Sequence, residues 1–151
     1  MTRINSAIPV KNLTDEHLLA EHREIKRLPY CLSVALKSGS VKHIPEKFTL
    51  GKGHVLFFLN KMWFTYWRYC DINTECLVRG FYVDDYSENW DEWKDTEYFE
   101  HPMYEPTEEE YNLLIERITY RILNSKKKTW HYYGKPITKE KAVELLKNKI
   151  L

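Results

Sequence analysis

Residues 50–79 constrain this chain more than any other stretch. The segment opens as Leu50-Gly-Lys-Gly-His-Val55 and carries the longest helical pattern in the sequence. Gly80 stands where that helix must stop, because glycine accepts the left-handed backbone of a helix C-terminus. Val55, Phe58, Met62, Tyr69 and Leu77 fall on one stripe, widened by Trp63, Tyr66 and Trp67. Large aromatics dominate core burial, so these rings read first as core and only second as ligand contacts. A helix with so broad an apolar face needs other helices against it, and the fold class expected is all-α.

The other elements fit that expectation. With 151 residues, a single compact domain over 1–151 is the natural size for one hydrophobic core. Residues 2–11 read as an extended arm, since Pro9 disfavours helix. A first helix over 13–28 follows, with Asn12 or Thr14 as its cap and Asp15 complementing the helix dipole. His17, Glu21, Glu24 and Leu28 lie on one stripe of it, Arg23 and Arg27 lie beside that stripe, and Leu18 and Ile25 point to the core. Pro29 kinks or breaks the helix, which resumes over 31–37 and ends at Ser38-Gly39-Ser40. Residues 41–50 look irregular, and 81–104 show no sustained period, so an acidic aromatic loop is expected over 84–104. Thr107 and Glu110 form a capping box for a helix burying Tyr111, Leu114, Ile118 and Ile122 and carrying Arg117 and Arg121 at i, i+4. Residues 138–151 form an amphipathic extension. Strand signals are few. About three main helices, an N-terminal arm, a long acidic loop and an extra C-terminal helix result.

Charge and cysteine usage narrow the function classes. The net charge of +1 conceals a window, residues 84–100, that carries −7 and leaves +8 on the rest. Exposed charges are screened beyond about 8–10 Å, so the basic body remains compatible with a phosphate partner. Three cysteines with no C-x-x-C pair fit a reduced, cytoplasmic protein better than a disulfide or zinc fold. Six scattered histidines, with His17 and His22 five apart, argue against a metal site. No apolar run is long enough to span a membrane.

Chemistry concentrates near the N-terminus. Trimming of Met1 would leave Thr2 with a free α-amine, which titrates near 7.7–8.0 against about 10.4 for lysine. Arg3 beside it lowers that value further. Such an amine can attack a sugar C1′, expel the base and leave an imine. Glu24 suits stabilisation of the positive charge on the sugar and removal of the 2′ proton. The plainer alternative for Glu21 and Glu24 is a solvated face with salt bridges to Arg23 and Arg27. Arg117, Arg121 and Lys52 can neutralise phosphates. Trp130, Tyr132 and Tyr133 alternate with basic residues up to Lys135, a mixture that suits an unstacked nucleotide or equally packs the tail onto the core.

These segments occur in the order seen in the phage endonuclease V type of pyrimidine-dimer DNA glycosylase/AP lyase, which the chain resembles over 1–81 and 106–137. The resemblance rests on Met1-Thr-Arg-Ile-Asn5, Glu16-His-Leu-Leu-Ala-Glu-His-Arg-Glu24, Leu50-Gly-Lys-Gly-His-Val-Leu-Phe-Phe58, Glu75-Cys-Leu-Val-Arg-Gly-Phe81 and Thr129-Trp-His-Tyr-Tyr-Gly-Lys135. It implies a monomer acting in the bacterial cytoplasm, encoded by a phage, on double-stranded DNA holding ultraviolet-induced pyrimidine dimers or abasic sites. It needs no metal or cofactor. By position the nucleophile is the Thr2 amine and the acid/base is Glu24. Arg3, Arg23, Arg27, Arg117 and Arg121 match phosphate-binding residues, while His17 and Glu21 match active-site neighbours. Trp130, Tyr132 and Lys135 join the expected DNA contacts. The family kinks the duplex and flips out a base opposite the lesion.

The chain departs from that pattern in four places. Glu16 replaces a glutamine, the helix centre carries Trp63, Tyr66, Trp67 and Tyr69 in place of more polar residues, the 84–100 loop is acidic, and 138–151 extends the chain. Two other readings follow. One is a glycosylase/AP lyase for another damaged base or for bare abasic sites. The other is a non-catalytic relative that binds DNA or a protein partner.

Overall fold

The computed structural model describes residues 4–100 and 103–148. Its helices are α1 (Asp15–Ile25), α2 (Leu28–Ser38), α3 (His54–Phe57), α4 (Met62–Val78), α5 (Glu97–Glu100), α6 (Glu108–Asn124) and α7 (Lys139–Leu146). A two-stranded antiparallel hairpin, β1 (Trp130–Tyr132) and β2 (Lys135–Ile137), is the only sheet among the described residues. The fold is all-α apart from that ribbon, and no described helix is long and apolar enough to cross a membrane.

The long helical pattern divides in two. α3 closes at Phe57, and Lys61 (φ −125°, ψ 43°) leaves helical geometry before α4 begins. The reason lies in Phe57, Phe58 and Leu59, three consecutive side chains that are all fully or nearly fully buried. Neighbours on a helix diverge by about 100°, so one straight helix cannot bury all three on a single side. The buried face of α4 is Met62, Thr65, Arg68, Tyr69, Ile72, Glu75 and Cys76. Trp63, Trp67 and Leu77, expected in the core, are 38%, 50% and 57% exposed instead. Gly80 does close α4, at φ 86°, with Phe81 N donating to the Cys76 carbonyl. A side chain there would meet open space, so backbone conformation alone demands glycine.

Two adjustments affect the N-terminal helices. α1 ends at Ile25, and Leu28 starts α2 rather than extending the α1 stripe. Pro29 sits in the first turn of α2, where its missing N–H costs nothing, so it initiates a helix and breaks none. Thr14 is the α1 cap, accepting from His17 N at 3.2 Å. Asn12 is buried and donates to the Leu146 and Asn148 carbonyls, tying the C-terminal extension to the arm.

The acidic segment also carries more order than a loop. A 3-10 helix over Ser87–Trp93 and the short α5 fold it along α4. Trp90 is fully buried, its Nε1 donating to Thr65 Oγ1 at 3.1 Å and its ring 5.0 Å from Tyr69. Trp90 and Phe99 of this acidic window therefore pack against α4, while the Tyr86 ring lies against His22 and Lys26.

The capping box at Thr107 and Glu110 forms with both reciprocal bonds. Thr107→Ala should lower stability by about 1 kcal/mol, since the exposed Thr107 loses a cap and little packing. Thermal denaturation against the wild type checks this. α6 buries Leu114, Ile118 and Ile122, while Tyr111 is half-buried.

The hairpin was not legible as strands. Tyr133 (φ 53°) and Gly134 (φ 76°) both adopt left-handed geometry, the two-residue turn that matches strand twist. Both turn N–H groups donate to the Asp15 carboxylate, at 3.1 and 2.8 Å. The same carboxylate pairs with Arg79, which also binds Glu75 and the Leu13, Val10 and Lys11 carbonyls. One buried arginine thereby joins the arm, α1, α4 and, through Asp15, the hairpin.

Candidate active site

The N-terminal arm is fixed before it reaches the site. Ile4 and Ile8 are fully buried. Arg68 of α4 donates to the Ile8 carbonyl at 2.6 Å and makes a two-pronged contact with Glu21, at 2.8 and 3.0 Å. Asn5 Nδ2 reaches the same Glu21 at 2.9 Å. Glu21 is 1% exposed. Its surroundings make it the anchor of the arm, with its charge balanced by a planar guanidinium fork.

The anchored arm forms one wall of a cleft of about 110 Å³. Ile4, Asn5, Leu50 and His54 line it together with His17, Ala20, Glu21 and Glu24 of α1 and Leu114, Arg117, Ile118 and Arg121 of α6. Five residues expected at the site, His17, Glu21, Glu24, Arg117 and Arg121, thus meet in one place. Glu24 is the reachable carboxylate, its side chain 27% exposed and its Oε2 3.1 Å from Arg27 Nη1. Arg27 and Arg23 are both exposed and lie outside the lining. Thr2 and Arg3 lie outside the described residues.

His17 is held on both sides. Its Nδ1 is 2.9 Å from Thr14 Oγ1, and its ring stacks on Trp130 at 5.1 Å and 8°. Burial pulls its pKa down to about 4, with Glu16 and Glu21 pushing the other way. The imidazole is therefore neutral at pH 7. Trp130 is 7% exposed, so its role visible here is to support His17. Tyr132 packs over Arg79 and donates to the Lys11 carbonyl, and Tyr133 donates to Glu75. Trp130 is packed into the core, Tyr132 is half-buried, and Tyr133 and Lys135 are exposed at the hairpin.

Glu16 does not present a bare charge. It accepts from His131 N at 2.9 Å and from His131 Nδ1 at 2.8 Å, and pairs with Lys127 at 3.0 Å. Burial would raise its pKa, but the bonds from His131 and Lys127 outweigh that and hold it below the usual range. The residue staples the hairpin to α1.

Sequence reasoning assigned no role to His54, Asn5 or Arg68. His54 is 2% exposed; its Nε2 accepts from Ile4 N at 2.9 Å, and its Nδ1 lies 2.9 Å from the Thr49 carbonyl. Its one sequence signal was a place inside the Leu50-Gly-Lys-Gly-His segment. Among the described residues no group of three or more His, Cys, Asp or Glu side chains is placed to hold a metal.

A cleft lined by one accessible carboxylate and two arginines suits an anionic, phosphate-bearing substrate. The sequence model for pyrimidine dimer DNA glycosylases matches residues 1–89, and the chain belongs to that family. It is a DNA repair glycosylase, with DNA as its substrate. The match includes Glu24 and His54 and stops before α6, whose Arg117 and Arg121 complete the cleft.

Proposed function

We propose that the protein cleaves the N-glycosidic bond of the 5′ pyrimidine of a cyclobutane pyrimidine dimer through an imine on the Thr2 α-amine and then nicks the strand as an AP lyase. The observation that carries this reading is that Ile4 and Asn5 line the same cleft as Glu24. Thr2 precedes Ile4 by two residues, and two residues reach at most roughly 7 Å. The amine nitrogen attacks C1′, the glycosidic bond breaks, and its electron pair goes to the base nitrogen, which takes up a proton while the base stays joined to its 3′ neighbour through the cyclobutane ring. Ring opening gives a protonated imine. Glu24 stabilises that cation, then removes a 2′ proton. The resulting electron pair forms a C1′–C2′ enamine that expels the 3′ phosphate by β-elimination, and hydrolysis frees the amine. Arg117 and Arg121 of the lining, together with Arg3, Arg23 and Arg27, bind the flanking phosphates.

Borohydride should trap the protein covalently on ultraviolet-irradiated duplex DNA, with the adduct mapping to Thr2 by mass spectrometry. A preparation with a verified free Thr2 amine that gives no adduct would overturn the reading. Equal cleavage of irradiated and abasic duplexes would instead move the substrate to abasic sites.

A further inference from the structure

We propose that His54 is a positioning residue for this reaction, its neutral imidazole fixing where the arm enters the cleft and its protonation releasing the arm. The inference rests on the amine reading above and names its pH control. A carbonyl can only accept, so the 2.9 Å contact with Thr49 places the ring proton on Nδ1. Nε2 is then left with a lone pair, which takes the Ile4 N–H at 2.9 Å. Phe48 and Phe58 lie edge-on to the ring, at 5.5 and 5.3 Å, and their packing opposes its turning. Asn5 and Ile8 are held by Glu21 and Arg68. His54 grips the described backbone nearest to Thr2.

A second proton would set Nε2–H against the Ile4 N–H, two donors face to face. Glu21 of α1 favours that proton and Arg117 of α6 opposes it, while His17, Glu24 and Arg121 share the cleft wall. Burial dominates and pulls the His54 pKa down. Releasing the arm removes the Ile4 donor and part of that burial, so the pKa of the imidazole rises back towards the ordinary histidine range. The closed arm is therefore unpenalised while the released imidazole stays neutral, and is progressively disfavoured as pH falls and that imidazole takes up a proton. Displacement at Ile4 passes to the amine only two residues away, and about 1 Å of misplacement can cost roughly 10²-fold in rate.

The test uses the full chain as wild type, His54→Gln and His54→Ala, with single-turnover borohydride trapping on an abasic duplex from pH 4.5 to 8. Amide exchange at Ile4 is followed in parallel. Glutamine offers an acceptor near Nε2 that does not titrate. His54→Gln should stay within about tenfold of the wild type at pH 7.5, and His54→Ala should fall about 10²-fold. The wild-type to His54→Gln rate ratio should be flat above pH 7, then decline about tenfold per unit once His54 protonates. Wild-type Ile4 exchange should accelerate over the same range. A ratio that stays flat to pH 4.5, or Ile4 protection indifferent to pH, overturns the proposal, and the exchange result stands even if His54→Ala does not fold. Absence of any wild-type adduct would instead count against the amine reading, with Ile4 exchange still deciding the clamp.

Discussion

Glu24→Gln should abolish strand cleavage while leaving the fold intact, a loss of about 10²–10⁴-fold in the single-turnover rate on abasic duplex. Glutamine keeps the shape of glutamate and an oxygen for Arg27, but it has neither the negative charge that stabilises a protonated imine nor the basicity to remove a 2′ proton. The exposed Glu24–Arg27 contact contributes little to stability, since Arg27 is 58% exposed and the two lie at i, i+3. Thermal denaturation should therefore superimpose on the wild type. DNA binding should be retained or tightened, because a negative charge leaves a cleft lined by Arg117 and Arg121. Cleavage within tenfold of the wild type would exclude Glu24 as the acid/base, and Glu21, tied to Arg68 and Asn5, is not placed to substitute for it.

The largest stability effect is expected at Arg79. Its guanidinium pairs with Asp15 at 2.9 Å and Glu75 at 2.8 Å, and all three residues are under a tenth exposed. Arg79→Met fills much of the volume but leaves two buried carboxylates without a cation, a defect costing about 3–5 kcal/mol. It also frees the Leu13, Val10 and Lys11 carbonyls at the base of the arm. For a domain of this size the midpoint of thermal unfolding should fall by roughly 6–20 °C. Tyr132 and Tyr133, stacked 4.8 Å from the guanidinium, lose their platform, so the hairpin should become the first site of limited proteolysis. A melting curve within 2 °C of the wild type, as an approximate bound for under 1 kcal/mol, would show that the carboxylates find other partners.

The acidic window gains a physical role from its packing. Residues 84–99 do not appear in the lining of the cleft, and Trp90 and Phe99 pack on α4. The segment's carboxylates from Asp84 to Glu97 are exposed to solvent, and Trp90 joins the core.

Much of this protein was determined locally. The Thr107–Glu110 box and Gly80 mark helix ends through hydrogen bonds or backbone preferences within a few residues, so those ends could be read directly, while Thr14 was one of two candidate caps that the sequence left open. The stripe His17–Glu21–Glu24 follows from helical geometry alone, and the family match over 1–89 covers it. Periodicity failed where burial needed a partner it could not name. Phe57, Phe58 and Leu59 became consecutive core residues only because neighbouring elements surround them, and Trp63 and Trp67 faced outward because Arg68 and Glu75 took the inner face. Arg68, Arg79 and Glu21 are charges a sequence places on the surface. Only the tertiary structure buries them, since their ion pairs span 47 and 64 residues of chain. The same holds for His54. A histidine becomes a clamp for the arm only when folding brings the Ile4 amide and the Thr49 carbonyl to opposite sides of one ring.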